Sequence, residues 1–78
     1  MRKTLEQLIE TCYDVKNHLG LSSYELHDYG DEAYADFRTN CIVNPKKLCS
    51  IIGKLDYRII ADNDAIRIRI FEDYTENG

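Results

Sequence analysis

Residues 57–71 read YRIIADNDAIRIRIF, two alternating runs on either side of Asp62-Asn63-Asp64. A period of two is the signature of a strand with one buried face, because successive side chains leave a pleated backbone on opposite sides. Isoleucine favours the strand and Asn-Asp suits a tight reversal. A two-residue Asn63-Asp64 loop sets Tyr57 opposite Ile70, Ile59 opposite Ile68 and Ala61 opposite Ile66. A three-residue loop would set Ile59 against Arg67 and mix the two faces, so the shorter loop is expected. Ile59 and Ile68 then belong to the core, and Arg58, Arg67 and Arg69 share the opposite face with Ile60 and Phe71.

Working upstream, residues 24–43 carry a weaker version of the same period. Tyr24 and Leu26 precede Gly30-Asp31, and Ala33, Ala35, Phe37 and Cys41 follow it. A Gly30-Asp31 loop pairs Leu26 with Ala35 and Tyr24 with Phe37, leaving Glu25, His27, Tyr34, Asp36 and Arg38 on the other face. A competing reading makes Ser22-Ser23-Tyr24-Glu25 a capping box for a short helix ending at Gly30, with a further helical turn over Asp31 to Phe37.

Helical spacing flanks these hairpins. Leu5, Leu8, Ile9, Cys12, Tyr13, Val15 and Leu19 recur at the helical period. Thr4-Leu5-Glu6-Gln7 reads as the capping box that starts this helix, and Gly20 as its stop, with Leu21 folding back on Val15. Asn44-Pro45 is a helix-start pair, because Asn caps the first turn and proline at the first helical position has no N–H to waste. Leu48, Ile51, Ile52 and Leu55 then make the stripe of a helix from Pro45 to about Lys54, with Gly53 either its stop or an interior weak point. The expected fold is α+β: a two-layer sandwich of a four-stranded antiparallel sheet with two helices on one face, in the order α-β-β-α-β-β. Residues 1–73 form a single domain in this reading, and 74–78 a flexible tail.

The chain of 78 residues is 44% hydrophobic and 31% charged, which suits a folded domain with one small core. Its net charge of −4 argues against a surface that attracts nucleic acid or anionic lipid as a whole. Met1-Arg2-Lys3 leads into a charged periodic segment without an apolar signal region, and the cysteine count of 3 is odd, so a cytoplasmic, disulfide-free protein that engages no membrane is expected.

No glycine-rich nucleotide motif, metalloprotease motif, paired CxxC or nucleophile elbow occurs in the sequence. His18 suits the last turn of the first helix as a partner of its dipole. His27, Glu25 and Asp36 could form an acid/base cluster, but an open sheet face does not exclude water as catalysis requires. Cys41, Cys49 and His27 have no spacing diagnostic of zinc. The expectation is therefore a protein that is not an enzyme and carries no cofactor or metal. The acidic runs 28–32 and 72–76 read as solvated turn and tail, and Cys12 and Cys49 as small hydrophobes.

Two features invite a binding role. Lys46 and Lys47 stand at the positive end of the second helix, where exposed N–H groups and two cations would suit an anion. Arg58, Arg67, Arg69 and Phe71, with Tyr34 from the neighbouring hairpin, gather on the sheet face the helices leave open. The expected function is a small protein-binding module: an adaptor, an inhibitor or a small homodimer meeting through Ile60, Phe71 and Tyr34. Size, acidity and the missing catalytic motif also fit an accessory protein of a phage or mobile element. The alternative is nucleic-acid binding through the same arginine and aromatic face.

Overall fold

A computed structural model describes residues 3–21, 23–30, 32–40, 43–53, 55–61 and 63–74. Met1, Arg2, Ser22, Asp31, Cys41, Lys54, Asp62 and residues 75–78 lie outside them. The elements are α1 (Lys3–Leu19), β1 (Tyr24–Asp28), β2 (Ala33–Thr39), α2 (Pro45–Ile52), β3 (Leu55–Ala61) and β4 (Ile66–Tyr74). The strands form one antiparallel sheet in the order β1-β2-β4-β3. Leu5, Leu8, Cys12 and Val15 of α1 and Leu48 and Ile52 of α2 join Ala33, Ala35, Phe37, Ile68 and Ile70 in one buried cluster, which puts both helices on one face of the sheet.

The registers match those that the loop lengths dictate. Tyr24 pairs with Phe37 and Leu26 with Ala35, which excludes the helical reading of this segment. In the second hairpin Tyr57 pairs with Ile70, Ile59 with Ile68 and Ala61 with Ile66. Gly30 takes φ +96°, a left-handed value that glycine reaches without a Cβ penalty, and its N–H donates to Asp28 Oδ1 at 3.0 Å. At the end of α1, Gly20 is also left-handed, and the Leu21 N–H closes back on the Lys16 carbonyl at 3.0 Å while its side chain is buried. This is the Schellman closure expected of Gly followed by an apolar residue.

Four expectations change. First, α1 already includes Lys3, so Thr4 lies within the helix and is no N-cap; its hydroxyl donates to Glu72 Oε2. Second, Glu72 is buried instead of solvated, because β4 continues to Tyr74 and the alternation turns Glu72 inward, two residues after Ile70. The first turn of α1 is a favourable place for its carboxylate, since unpaired N–H groups make that end of the helix positive.

Third, α2 ends at Ile52. Gly53 at φ +69° is its stop, and Leu55 becomes the buried start of β3 instead of the last residue of a helical stripe. Fourth, Ile59 is 45% exposed whereas its partner Ile68 is 0% exposed. β3 is an edge strand, and an eight-residue α2, about 12 Å long, reaches only its first part. Tyr13 is exposed too, since it sits 100° around α1 from the buried Cys12.

Asn44 Oδ1 accepts from the backbone N–H of Lys46 at 3.0 Å and of Lys47 at 3.4 Å, so it satisfies two donors of the first turn of α2. Replacing Asn44 with alanine is expected to cost about 1 kcal/mol. Urea unfolding checks this, and an unchanged midpoint would mean that solvent satisfies these donors equally well.

Candidate functional site: the open face of the sheet

With both helices on one face, alternation sends the other set of side chains out from the second face, where three transverse rows form. The first row crosses β1, β2 and β4 as His27, Tyr34 and Phe71. The His27 and Tyr34 rings stack at 4.8 Å between centroids, and Tyr34 meets Phe71 at 6.2 Å and Tyr29 at 6.1 Å. The second row is Glu25, Asp36, Arg69 and Arg58 across all the strands. The third is Arg38, Arg67 and Ile60.

The second row resolves the like-charge pair that the register demands. Arg58 does stand opposite Arg69, but Asp36 faces Arg69 from the other side. Arg69 Nε donates to Asp36 Oδ1 at 2.8 Å and Nη2 to Oδ2 at 3.1 Å, a bidentate ion pair. Its guanidinium also covers the Tyr34 ring at 4.3 Å, a cation–π contact. The hydrogen bonds it donates to Asp36 raise the Arg69 pKa above its ordinary value. The Tyr34 phenol is likewise raised, first by its hydrogen bond with Tyr29.

Arg58 is placed differently. It lies 5.8 Å from the Phe71 ring centroid and forms no ion pair with any described residue. Arg38 is exposed and likewise has no ion pair among the described residues, and it stands directly opposite Arg67. An open groove of about 730 Å³ runs along this face between His27, Tyr34, Asp36, Arg38, Asp64 and Arg67. A second hollow of about 500 Å³ adjoins it at Arg38, Ala61, Asn63 and Arg67. No protein-family model, curated protein or solved structure matches the chain.

The sheet therefore brings Arg58, Arg67, Arg69, Phe71 and Tyr34 together. Lys46 and Lys47 are not part of this group, because α2 packs on the other face of the sheet. Asn44 Oδ1 also occupies the two N–H groups that would have drawn an anion there. Arg38 and Asp36 belong to the face although the sequence reading left them out of its binding set; their alternation with Ala35 and Phe37 was the available signal. His27 lies 3.5 Å from Glu25, on the open groove. Cys49 is on α2, in the helical layer, so the two cannot share a metal.

The two cysteines among the described residues separate by burial. Cys12 is fully buried, and desolvation pushes its thiol up to about 12, whereas Cys49 is exposed. Since the thiolate is the nucleophile, Cys12 is expected to resist an aromatic disulfide reagent in the folded state at neutral pH while Cys49 reacts. Mass mapping checks this, and rapid labelling of Cys12 without denaturant would show that the core opens there.

Proposed function

We propose that this protein is a non-catalytic module that docks a protein partner on the open face of its sheet. The observation that carries the reading is the arrangement of that face: a row of aromatic rings, a preformed Arg69–Asp36 pair, and Arg38 and Arg58 without ion-pair partners among the described residues. Aromatic residues and arginine are the side chains most enriched at the energetic centres of protein interfaces. Ion pairs set in advance hold their geometry without reordering on contact, which lowers the entropic cost of docking.

Mixed charge favours a protein over a nucleic acid. Glu25, Asp36 and Asp64 share this face or its groove with the arginines, and the whole chain carries −4. A phosphate backbone is recognised chiefly by a basic excess, and its binding collapses with salt.

The test is affinity capture from the native cell with the wild-type chain, with a Tyr34→Ser, Arg58→Ala, Phe71→Ser variant, and with Lys46→Glu, Lys47→Glu as a control on the helical layer. A partner held by the wild type and the control but lost by the face variant supports the reading. A partner held equally by all three overturns it. Retention on single-stranded nucleic acid that depends on Arg58 and Arg67 and disappears at moderate salt would support the nucleic-acid alternative instead.

A further inference from the structure

The face described above is flanked by β1, which has β2 on one side and no strand on the other among the described residues. We propose that β1 is the seam of a two-fold dimer, in which a second copy of this chain pairs antiparallel with it, centred on Leu26. This goes beyond the docking role of the open face and rests on different residues.

The backbone is aimed for such pairing. The Tyr29 N–H donates to the Glu32 carbonyl at 2.9 Å, which makes Tyr29 and Glu32 a hydrogen-bonded pair at the end of the hairpin. An antiparallel ladder alternates bonded and non-bonded pairs, and β1 keeps an unbroken register with β2. Glu25 and His27 therefore point their N–H and C=O groups at β2, and Tyr24 and Leu26 point theirs outward.

The side chains select the register. Centring on Leu26 sets Leu26 against Leu26 of the second copy, with two backbone hydrogen bonds between them, and uses all 5 residues of the strand. It also sets Glu25 opposite His27 of the second copy, and His27 opposite its Glu25. These are non-bonded pairs, where side chains approach most closely, and histidine and glutamate attract. Centring on Glu25 or on His27 would oppose like residues.

Edge strands normally carry charges that repel an incoming strand. Here the facing groups are a carboxylate and an imidazole, an acceptor and a donor that complement each other about a two-fold axis. Leu26, 40% exposed on the helical side of the sheet, would be covered by its own copy. The rows of the open face would run on from one chain into the next.

The other edge fits less well. β3 shifts register between Leu55 and Tyr57, which breaks the regularity of its outer ladder, and the register that uses Tyr57–Ala61 sets Arg58 against Ile60 with no charge complement. A five-residue seam is small, so the dimer is expected to be weak and concentration-dependent.

Sedimentation equilibrium from micromolar to millimolar chain concentration tests the proposal. Wild type is expected to pass from the 9.1 kDa of one chain towards twice that mass. His27→Glu opposes two glutamates at each crossing, and Glu25→Lys opposes lysine and histidine, so each alone should weaken association at least tenfold. An equimolar mixture of the two places lysine opposite glutamate and histidine opposite glutamate, and should restore it. Leu26→Pro removes an outward N–H that an edge strand does not use internally, and should abolish the dimer. Circular dichroism verifies that each variant is folded. A wild type of single-chain mass throughout overturns the proposal. So does a dimer that survives His27→Glu and Leu26→Pro but is lost on Ile59→Lys or Phe71→Ser, since it would use β3 or the open face.

Discussion

Ile68→Ala is expected to destabilise the fold by about 2–5 kcal/mol and Phe37→Ala by about 3–5 kcal/mol, whereas Ile59→Ala should cost about 1 kcal/mol or less. Ile68 and Phe37 are adjacent on the central strands and fully buried in the cluster that both helices join, and removal of either side chain leaves a cavity that the neighbours fill only in part. Ile59 stands opposite Ile68, yet 45% of it already meets solvent, so much of its transfer free energy is never gained. A domain of this size has a total stability of roughly 4–12 kcal/mol, so a loss of that size at either core position should move the urea midpoint well outside experimental error. Urea unfolding of the three variants reads the contrast. Equal losses at Ile59 and Ile68 would mean that a helix or a second copy covers the outer half of β3.

The second large effect separates the arginines by what holds them. Arg69→Ala is expected to cost about 1–3 kcal/mol of stability, because Asp36 loses a bidentate partner while half-buried and Tyr34 loses the cation above its ring. Arg58→Ala should leave the unfolding midpoint nearly unchanged, since its described contact is an exposed cation–π approach to Phe71. In the docking reading the order reverses for binding. Arg58→Ala combined with Phe71→Ala should weaken the partner by about 2 kcal/mol or more, roughly thirtyfold. Stability from thermal unfolding and affinity from calorimetry give the two orders independently. Loss of stability at Arg58 with no loss of affinity would make this arginine scaffold.

The fold class and both hairpin registers were legible in the sequence because each rests on a local cause, whereas the strand order sets β2 against β4, two segments that no short loop connects. Loop length and the period of two fix which residues face each other, and one-residue errors would have exposed the isoleucines. The fate of Ile59 was not legible in the same way. Alternation assigns a side chain to a face but says nothing about how far a helix extends over that face, and here α2 stops at Gly53.

Glu72 shows the same limit from the other side. Its sequence neighbours are acidic, which reads as a tail, but strand parity and the hydroxyl of Thr4 make an inward place for it that depends on the position of α1. The arginine cluster was legible, and so was the like-charge opposition of Arg58 and Arg69. Which carboxylate answers that pair was not, because only the pairing of β2 with β4 selects Asp36. Lys46 and Lys47 were read as a separate anion site on the helical layer, and there the Asn44 side chain takes the N–H groups that such a site would have used.

The most direct test of the docking face is an amide and side-chain chemical-shift footprint of the isotope-labelled protein titrated with its captured partner. Shifts should concentrate on Tyr34, Asp36, Arg38, Arg58, Arg67 and Phe71, with the exposed residues of α1 and α2 unmoved. A footprint centred on Lys46, Lys47 and the helical layer, with the open face silent, would contradict the assignment.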